Sequence, residues 1–293
     1  MSRYKTPLRY PGGKQKLAPF ILEVMEKNGL IGGDYAEPYA GGAGVAIDLL
    51  IAGKVGKIHL NDSSRAVYSF WYAILNHTEA FCQRIASASM TVAEWRRQKE
   101  ILARPEKAGM LDLGYSLFFL NRCNRSGIPS GGVIGGLKQD GPWKMDARFP
   151  RNELITRIEA IAAKKSSIVL KNWDAERFIR EYIPNMPANS LVYCDPPYFH
   201  QSNRLYLNHY KSDDHARIAK VIQKKIKHPW LVSYDVVPEI LAFYAKRQSF
   251  LYDLQYNAGR AYKGREVFVF SDNLALPDES KISSINEALR QVA

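Results

Sequence analysis

With 293 residues, 46% apolar and 24% charged, the chain has an ordinary globular composition and the length to bury one or two cores. That balance is neither disordered nor fibrous, and no uninterrupted apolar run approaches transmembrane length. The unusual property is a formal charge of +12 at pH 7, which favours a polyanionic partner: nucleic acid first, an anionic membrane surface second.

In chain order, residues 1–16 read as a loop with a Pro11-Gly12-Gly13 turn ahead of Lys14. A helix should run from Leu17 to Lys27, since Leu17, Phe20, Ile21 and Val24 recur on one face. Tyr35 to Val45 reads as a strand that turns through Gly41, Gly42 and Gly44 into a helix ending at Ile51. Lys57 to Asp62 is a second strand ending in an acid, which completes one βαβ unit. From Ser63 to Arg148 the alternation lapses. Helical patterns at 66–75, 79–85 and 92–102 and the run Tyr115–Arg122 lead into a long, basic, glycine-rich loop. Such a loop inside a compact chain is more often functional than accidental.

Alternation resumes with a helix over 151–163, a strand over 168–171, a helix over 175–182 and a strand over 191–194. A polar segment, 199–211, precedes a helix over 213–225, a strand over 230–234 and a helix over 237–246. Residues 250–255 and 266–270 should pair as a hairpin, and 278–293 reads as a tail. Cys82, Cys123 and Cys194 lie far apart and the six histidines are scattered, so neither a disulfide framework nor a metal site is expected. The N-terminus lacks the apolar stretch of a signal peptide, and a reducing compartment is expected.

The chemistry concentrates at Leu191-Val192-Tyr193-Cys194-Asp195-Pro196-Pro197-Tyr198. Two prolines stop a buried strand and fix the directions of the carbonyls that follow. The result is a carboxylate, a rigid carbonyl and an aromatic ring at a strand's carboxyl end, where open α/β sheets bind ligands. A planar amine fits there, its hydrogens on Asp195 and the Pro196 carbonyl and its ring on Tyr198. Asp-Pro alone is an ordinary strand end. The four residues together after an apolar run are not. The glycine turn suits a nucleotide or carboxylate, and Asp62 after the next strand suits ribose hydroxyls, although Asp is also a common N-cap. Pro11-Gly12-Gly13-Lys14 lacks the rest of a P-loop, which disfavours phosphate hydrolysis. Cys194 lies within the strand run and should face the core, not act as a nucleophile.

Tyr10-Pro11-Gly12-Gly13-Lys14, Glu37-Pro38-Tyr39-Ala40-Gly41-Gly42-Ala43-Gly44, Asn61-Asp62 and Asp195-Pro196-Pro197-Tyr198 resemble, in order, the motifs of Dam-type (D12 class) DNA adenine-N6 methyltransferases. The resemblance implies an α/β, Rossmann-like methyltransferase core over 1–62 and 149–277. It implies an inserted, mainly helical target-recognition subdomain over 63–148. It also implies S-adenosyl-L-methionine as cofactor and double-stranded DNA as substrate. Tyr10, Lys14, Glu37, Gly42, Asp62 and Asp195 would then bind the cofactor, and Asp195, Pro196 and Tyr198 would carry catalysis on a flipped-out adenine. Asn121, Arg122, Arg125, Ser126, Lys138 and Lys144 would contact DNA, with Arg148, Arg204 and Lys211 as further cations beside the groove.

Ser130 stands where the Dam-type hairpin carries a guanine-reading arginine, so the resemblance does not extend to the sequence GATC. It further implies a cytoplasmic enzyme of a prokaryotic or phage-infected cell, a monomer or weak dimer with no obligate protein partner. The competing readings are cytosine-N4 methylation, which usually places Ser before the two prolines, RNA adenine methylation, and a catalytically silent DNA-binding protein.

Overall fold

A computed structural model describes residues 5–9, 14–199, 210–256 and 262–277. Tyr10, the Pro11-Gly12-Gly13 turn, Arg204 and the tail over 278–293 lie outside the described residues. The elements follow the expected order. A 3₁₀ turn at Lys14–Leu17 enters α1 (Ala18–Lys27), followed by β1 (Tyr35–Glu37), α2 (Gly44–Ile51) and β2 (Ile58–Asn61). Then come α3 (Arg65–Asn76), α4 (Thr78–Ala86), α5 (Val92–Leu102), α6 (Met110–Cys123) and α7 (Arg151–Ala162). The remainder is β3 (Ile168–Lys171), α8 (Ala175–Arg177), β4 (Leu191–Cys194), α9 (Ser212–Lys225), β5 (Trp230–Asp235), α10 (Pro238–Phe243), β6 (Ser249–Tyr256) and β7 (Tyr262–Phe270).

Two helices depart from the expected spans. The one expected over 175–182 is regular only to Arg177 and continues as a π-turn over Phe178–Tyr182. Pro184 lies just beyond and bars further regular helix. The one expected to reach Lys246 stops at Phe243.

All seven strands form one sheet in the order β3-β2-β1-β4-β5-β7-β6. The first five are parallel, whereas β7 runs antiparallel between β5 and β6. β1, β2 and β4 are buried along their whole length, as strands covered on both faces must be. Period-two alternation divides their side chains between two apolar layers. Tyr35, Leu191, Tyr193, Leu231, Phe268 and Phe270 face the layer built by α1 to α3, α6 and α7. Ala36, Val192, Cys194, Val232, Val267 and Val269 face the layer built by the π-turn, α9 and α10. The first layer runs unbroken from α1 and α2 into the helices of residues 63–148. At the crossing of α3 and α6, Gly114 lies so close that a Cβ would stand 2.5 Å from the Ser69 carbonyl oxygen.

Strand order reverses where β1 pairs with both β2 and β4, Tyr35 standing opposite Ile58 and Leu191. A crevice at the carboxyl ends of β1 and β4 is the geometric consequence, and Glu37 and Asp195 end those strands or directly follow them. Among the described residues no helix is long and apolar enough to cross a membrane.

Candidate active site

At the end of β4 alternation turns Tyr193 and Asp195 to one face and Cys194 to the other. Cys194 is fully buried in the second apolar layer, and burial holds its thiol well above the ordinary value, so it is no nucleophile. On the Tyr193 face, Tyr193 and Ser233 share a hydroxyl hydrogen bond of 2.8 Å, and Ser233 Oγ donates to Asp195 Oδ1 at 2.6 Å. Lys14 Nζ approaches the same oxygen at 3.4 Å. Among the described residues nothing hydrogen-bonds Asp195 Oδ2 or the Pro196 carbonyl. Two acceptors from consecutive residues at the end of β4 thus meet no hydrogen-bond donor among the described residues, and Ser233 fixes the orientation of the carboxylate. Burial raises the Asp195 pKa, with Glu266 adding to it, while Lys14 and the Ser233 hydrogen bond oppose the shift.

The Tyr198 ring is 4% exposed, less open than a stacking platform should be. Its hydroxyl donates to Glu266 Oε1 at 2.6 Å, and the Lys14 ammonium lies 5.3 Å from its centroid. A planar ring reaches Tyr198 only when Lys14 or the neighbouring chain shifts. The three donors of Lys14 are all directed inward, to Asp195, Glu266 and Tyr198. It therefore stands at the end of β4 rather than open toward a ligand's carboxylate.

The glycine turn after β1 is held from three sides. Gly41 N donates to Asp62 Oδ2 at 2.9 Å, and its carbonyl accepts from Trp71 Nε1 of α3 at 2.9 Å. Gly42 O accepts from Thr6 Oγ1 at 2.6 Å. Gly41 has φ 45° and Ala43 φ 43°, the left-handed backbone that glycine tolerates and alanine adopts at a cost. Gly44, at the head of α2, leaves no room for a Cβ against Gln15. Asp62 Oδ1 also accepts from Ser64 N at 2.8 Å. Each Asp62 oxygen keeps a second lone pair, and the residue is half-buried at the surface of the crevice. Burial raises its pKa to about 6 against the two backbone hydrogen bonds.

Glu37 is buried, accepts from Ala46 N at 3.2 Å, and is pushed by burial up to about 8. An acid at each of two adjacent strand ends, with a strained turn between them, suits a ligand bearing both an ammonium group and vicinal hydroxyls.

The carboxyl ends of β1, β2 and β3 are bound together by one fully buried side chain, Asn61. Its amide donates to the Pro38 and Trp173 carbonyls at 3.0 and 3.1 Å, and its oxygen accepts from Trp173 N at 3.0 Å. Asn172 Nδ2 adds a bond to the Asp62 carbonyl at 2.7 Å.

The expected nucleic-acid residues divide into two groups. Asn121, 2% exposed, accepts from Arg9 N and donates to the Arg9 and Gly127 carbonyls at 2.6 and 2.7 Å. Arg122, 6% exposed, donates to Pro7 O at 3.4 Å. Burial, with Arg9 and Arg157 nearby, holds its pKa below the usual guanidinium value. Both side chains are buried, Asn121 joining the N-terminal segment to the glycine-rich loop and Arg122 reaching Pro7, and neither is available to a duplex in this arrangement. Ser126, half-exposed with φ 56°, shapes the turn beside Gly127. Arg125, Lys138 and Lys144 are exposed, as are Arg148 and Lys211. Between them stand Leu137 and Trp143, 57% and 71% exposed, which the sequence reading did not single out. It also missed Thr6, Ser233, Tyr252 and Glu266. Of these only Glu266 carried a signal, a charge heading an apolar strand run.

A family model described as D12 class N6 adenine-specific DNA methyltransferase matches residues 10–257. No curated protein matches the chain. Among solved structures it is similar to the rRNA methyltransferase AviRa from Streptomyces viridochromogenes at 11% identity, covering 97% of this chain and 90% of that one with a TM-score of 0.38. A SAM-dependent methyltransferase from Agrobacterium tumefaciens shares 9% identity over 88% of this chain and 61% of that one, TM-score 0.41. An S-adenosylmethionine-dependent methyltransferase from Clostridium acetobutylicum shares 11% identity over 94% and 80%, TM-score 0.31.

Proposed function

The chain belongs to the D12 class N6 adenine-specific DNA methyltransferase family, and from that premise we propose that it methylates the N6 amine of an adenine flipped out of duplex DNA. S-adenosylmethionine is its cofactor and supplies, when bound, an electrophilic sulfonium methyl. The single observation that carries the reading is a pair of adjacent acceptors, Asp195 Oδ2 and Pro196 O, that meet no donor among the described residues, with the Asp195 carboxylate locked by Ser233. An exocyclic adenine amine has exactly two hydrogens to give. Donating both draws the nitrogen away from conjugation with the ring and directs its lone pair out of the plane. Asp195 and Pro196 thus supply orientation and electrostatic stabilisation, with no covalent enzyme intermediate.

Glu37 and Asp62 fit the cofactor's ammonium and ribose hydroxyls, with the Gly42 turn between them. Of Tyr10 and Lys14, both given to the cofactor by the resemblance, Tyr10 keeps that role as a proposal, over the cofactor's ring, whereas Lys14 is assigned instead to the junction with the target base, because its donors turn to Asp195, Glu266 and Tyr198.

Two solution results are expected. Asp62→Ala weakens S-adenosylmethionine binding at least about tenfold, the loss of hydrogen bonds to a charged acceptor. Because the Asp62 pKa is raised to about 6, parental affinity holds above that pH and declines below it as the carboxylate protonates. Asp62→Asn shows no such decline in calorimetric titrations. Glu37, at about 8, carries its proton at pH 7, and a cationic group bound beside it draws the pKa down. Cofactor binding at pH 7 therefore releases about one proton. Calorimetry in buffers of different ionisation enthalpy measures it, and Glu37→Gln abolishes it.

The helices and loop over 63–148 are the proposed recognition subdomain, with Arg125, Lys138 and Lys144 on phosphates and Trp143 toward the grooves. A Lys138→Ala/Lys144→Ala variant should bind all duplexes more weakly. Its slope of log affinity against log salt should fall by about two, one for each lost phosphate contact.

The deciding experiment incubates unmethylated plasmid with the protein and S-adenosylmethionine, then measures nucleosides by mass spectrometry after digestion. N6-methyldeoxyadenosine supports the proposal. N4-methyldeoxycytidine, or no methylated nucleoside, overturns it.

A further inference from the structure

Glu266 is a carboxylate placed where carboxylates are expensive. It heads the apolar stretch of β7, opposite Tyr252 in register and on the face occupied by Phe268 and Phe270, and it is fully buried. Burial on that face is tolerable only with charge and hydrogen bonds supplied from nearby. Among the described residues the Lys14 ammonium, the Tyr198 hydroxyl at 2.6 Å and the Tyr252 hydroxyl help supply them. An uncharged residue of the same shape would satisfy the two tyrosines. It would not hold Lys14.

Lys14 is closer to Glu266 than to Asp195, which it meets at 3.4 Å. Without Glu266, the ammonium would have Asp195 as its one carboxylate partner. A tight pair there would take the acceptor capacity that the target amine needs. With Glu266 present, Lys14 is divided between two carboxylates, and Asp195 Oδ2 meets no donor among the described residues. Glu266 also fixes the Tyr198 ring by its hydroxyl.

We propose that Glu266 is a positioning residue for methyl transfer, sharing Lys14 with Asp195 and holding Tyr198 in place so that Asp195 keeps an oxygen for the target amine. The inference rests on the methyltransferase reading above, and its test separates the two.

In Glu266→Gln, kcat for methylation falls at least about tenfold, the scale of a displaced positioning group, while KM for S-adenosylmethionine stays within about twofold because Glu37 and Asp62 are untouched. In a Lys14→Gln background the same substitution has a smaller further effect, what remains being the part that Glu266 exerts through Tyr198. The acid limb of the kcat–pH profile moves to lower pH, because a negative charge facing Asp195 has gone. Among the described residues the other titratable groups that interact with Asp195 are Lys14, Glu37, Tyr35, Tyr193, Tyr252 and Cys194, all retained. Glu266→Asp keeps the charge and returns the limb to its parental position with part of kcat. A purely structural role would lower stability without moving the limb. Parental kcat in Glu266→Gln, or additive effects in the cycle, would overturn the proposal.

A second readout needs no DNA. Burial lowers the Lys14 pKa and Asp195 and Glu266 raise it past that, so Glu266→Gln should speed acetylation of Lys14 by acetic anhydride, followed by mass spectrometry, by up to about tenfold per unit of pKa. If the parent methylates no DNA, the functional reading falls, and the labelling rate still decides whether Glu266 governs Lys14. An unchanged rate overturns that control.

Discussion

Asp195→Ala is expected to lower methyl transfer by at least about 10²–10³-fold, the range measured when one preorganised polar partner of a reacting group is removed. The expectation follows from how little else at the crevice does the same work. Ser233 fixes one carboxylate oxygen and the other, like the Pro196 carbonyl, meets no donor among the described residues, so removing the side chain leaves the amine one acceptor instead of two. With one hydrogen bond the nitrogen stays conjugated and its lone pair stays in the ring system. Asp195→Asn should be nearly as poor, since it keeps the size but loses the charge. DNA affinity should hold within about threefold, because phosphate contacts dominate binding and lie elsewhere. Single-turnover methylation on a short duplex and a fluorescence binding assay measure the two quantities. Turnover equal to the parent's in Asp195→Ala would remove this residue from the reaction.

Asn61→Ala is expected to cost about 3 kcal/mol of stability. Three hydrogen bonds are lost at a fully buried site, leaving the Pro38 and Trp173 carbonyls and the Trp173 N–H unpaired. For a chain of this size that corresponds to a fall of about 6–12 °C in Tm. The loss is not only global. The same side chain ties together the loops after β1, β2 and β3, so cofactor affinity should fall even at temperatures where the variant is folded. Calorimetric unfolding and S-adenosylmethionine titration at 20 °C separate the two effects. An unchanged Tm would mean that water replaces Asn61 without loss.

These two residues also mark what the sequence made legible. Asp195 stands out because Asp-Pro-Pro-Tyr after an apolar run has few other physical readings, and the sheet does place it at the reversal of strand order. Glycines 41, 42 and 44 and Asp62 were readable in the same way, since their spacing encodes a local strand–turn–helix–strand unit. Asn61 was visible only as the neighbour of Asp62, because its partners lie 23 and 112 residues away. Ser233 and Glu266 depend on which strands become neighbours, which no local periodicity records. The same limit explains Asn121 and Arg122. A polar pair before a basic loop looks like a contact for DNA, yet its partners, Arg9 and Pro7, are brought in from the other end of the chain. Exposed Arg125, Lys138 and Lys144 needed no such information: glycine-rich basic loops are exposed for lack of anything to bury.

The late strand β7 does not add to the edge of the sheet but slips between β5 and β6. It brings Glu266 to Lys14 across 252 residues of chain. During synthesis, then, Asp195, Pro196 and Tyr198 leave the ribosome before the strand that shares Lys14 with them. Contacts of such sequence separation form late in folding. The nascent enzyme would be able to bury its first five strands while its reaction centre still lacked a wall. Activity should therefore switch on only when the last strand is threaded home, so that a chain released too early is silent rather than indiscriminate.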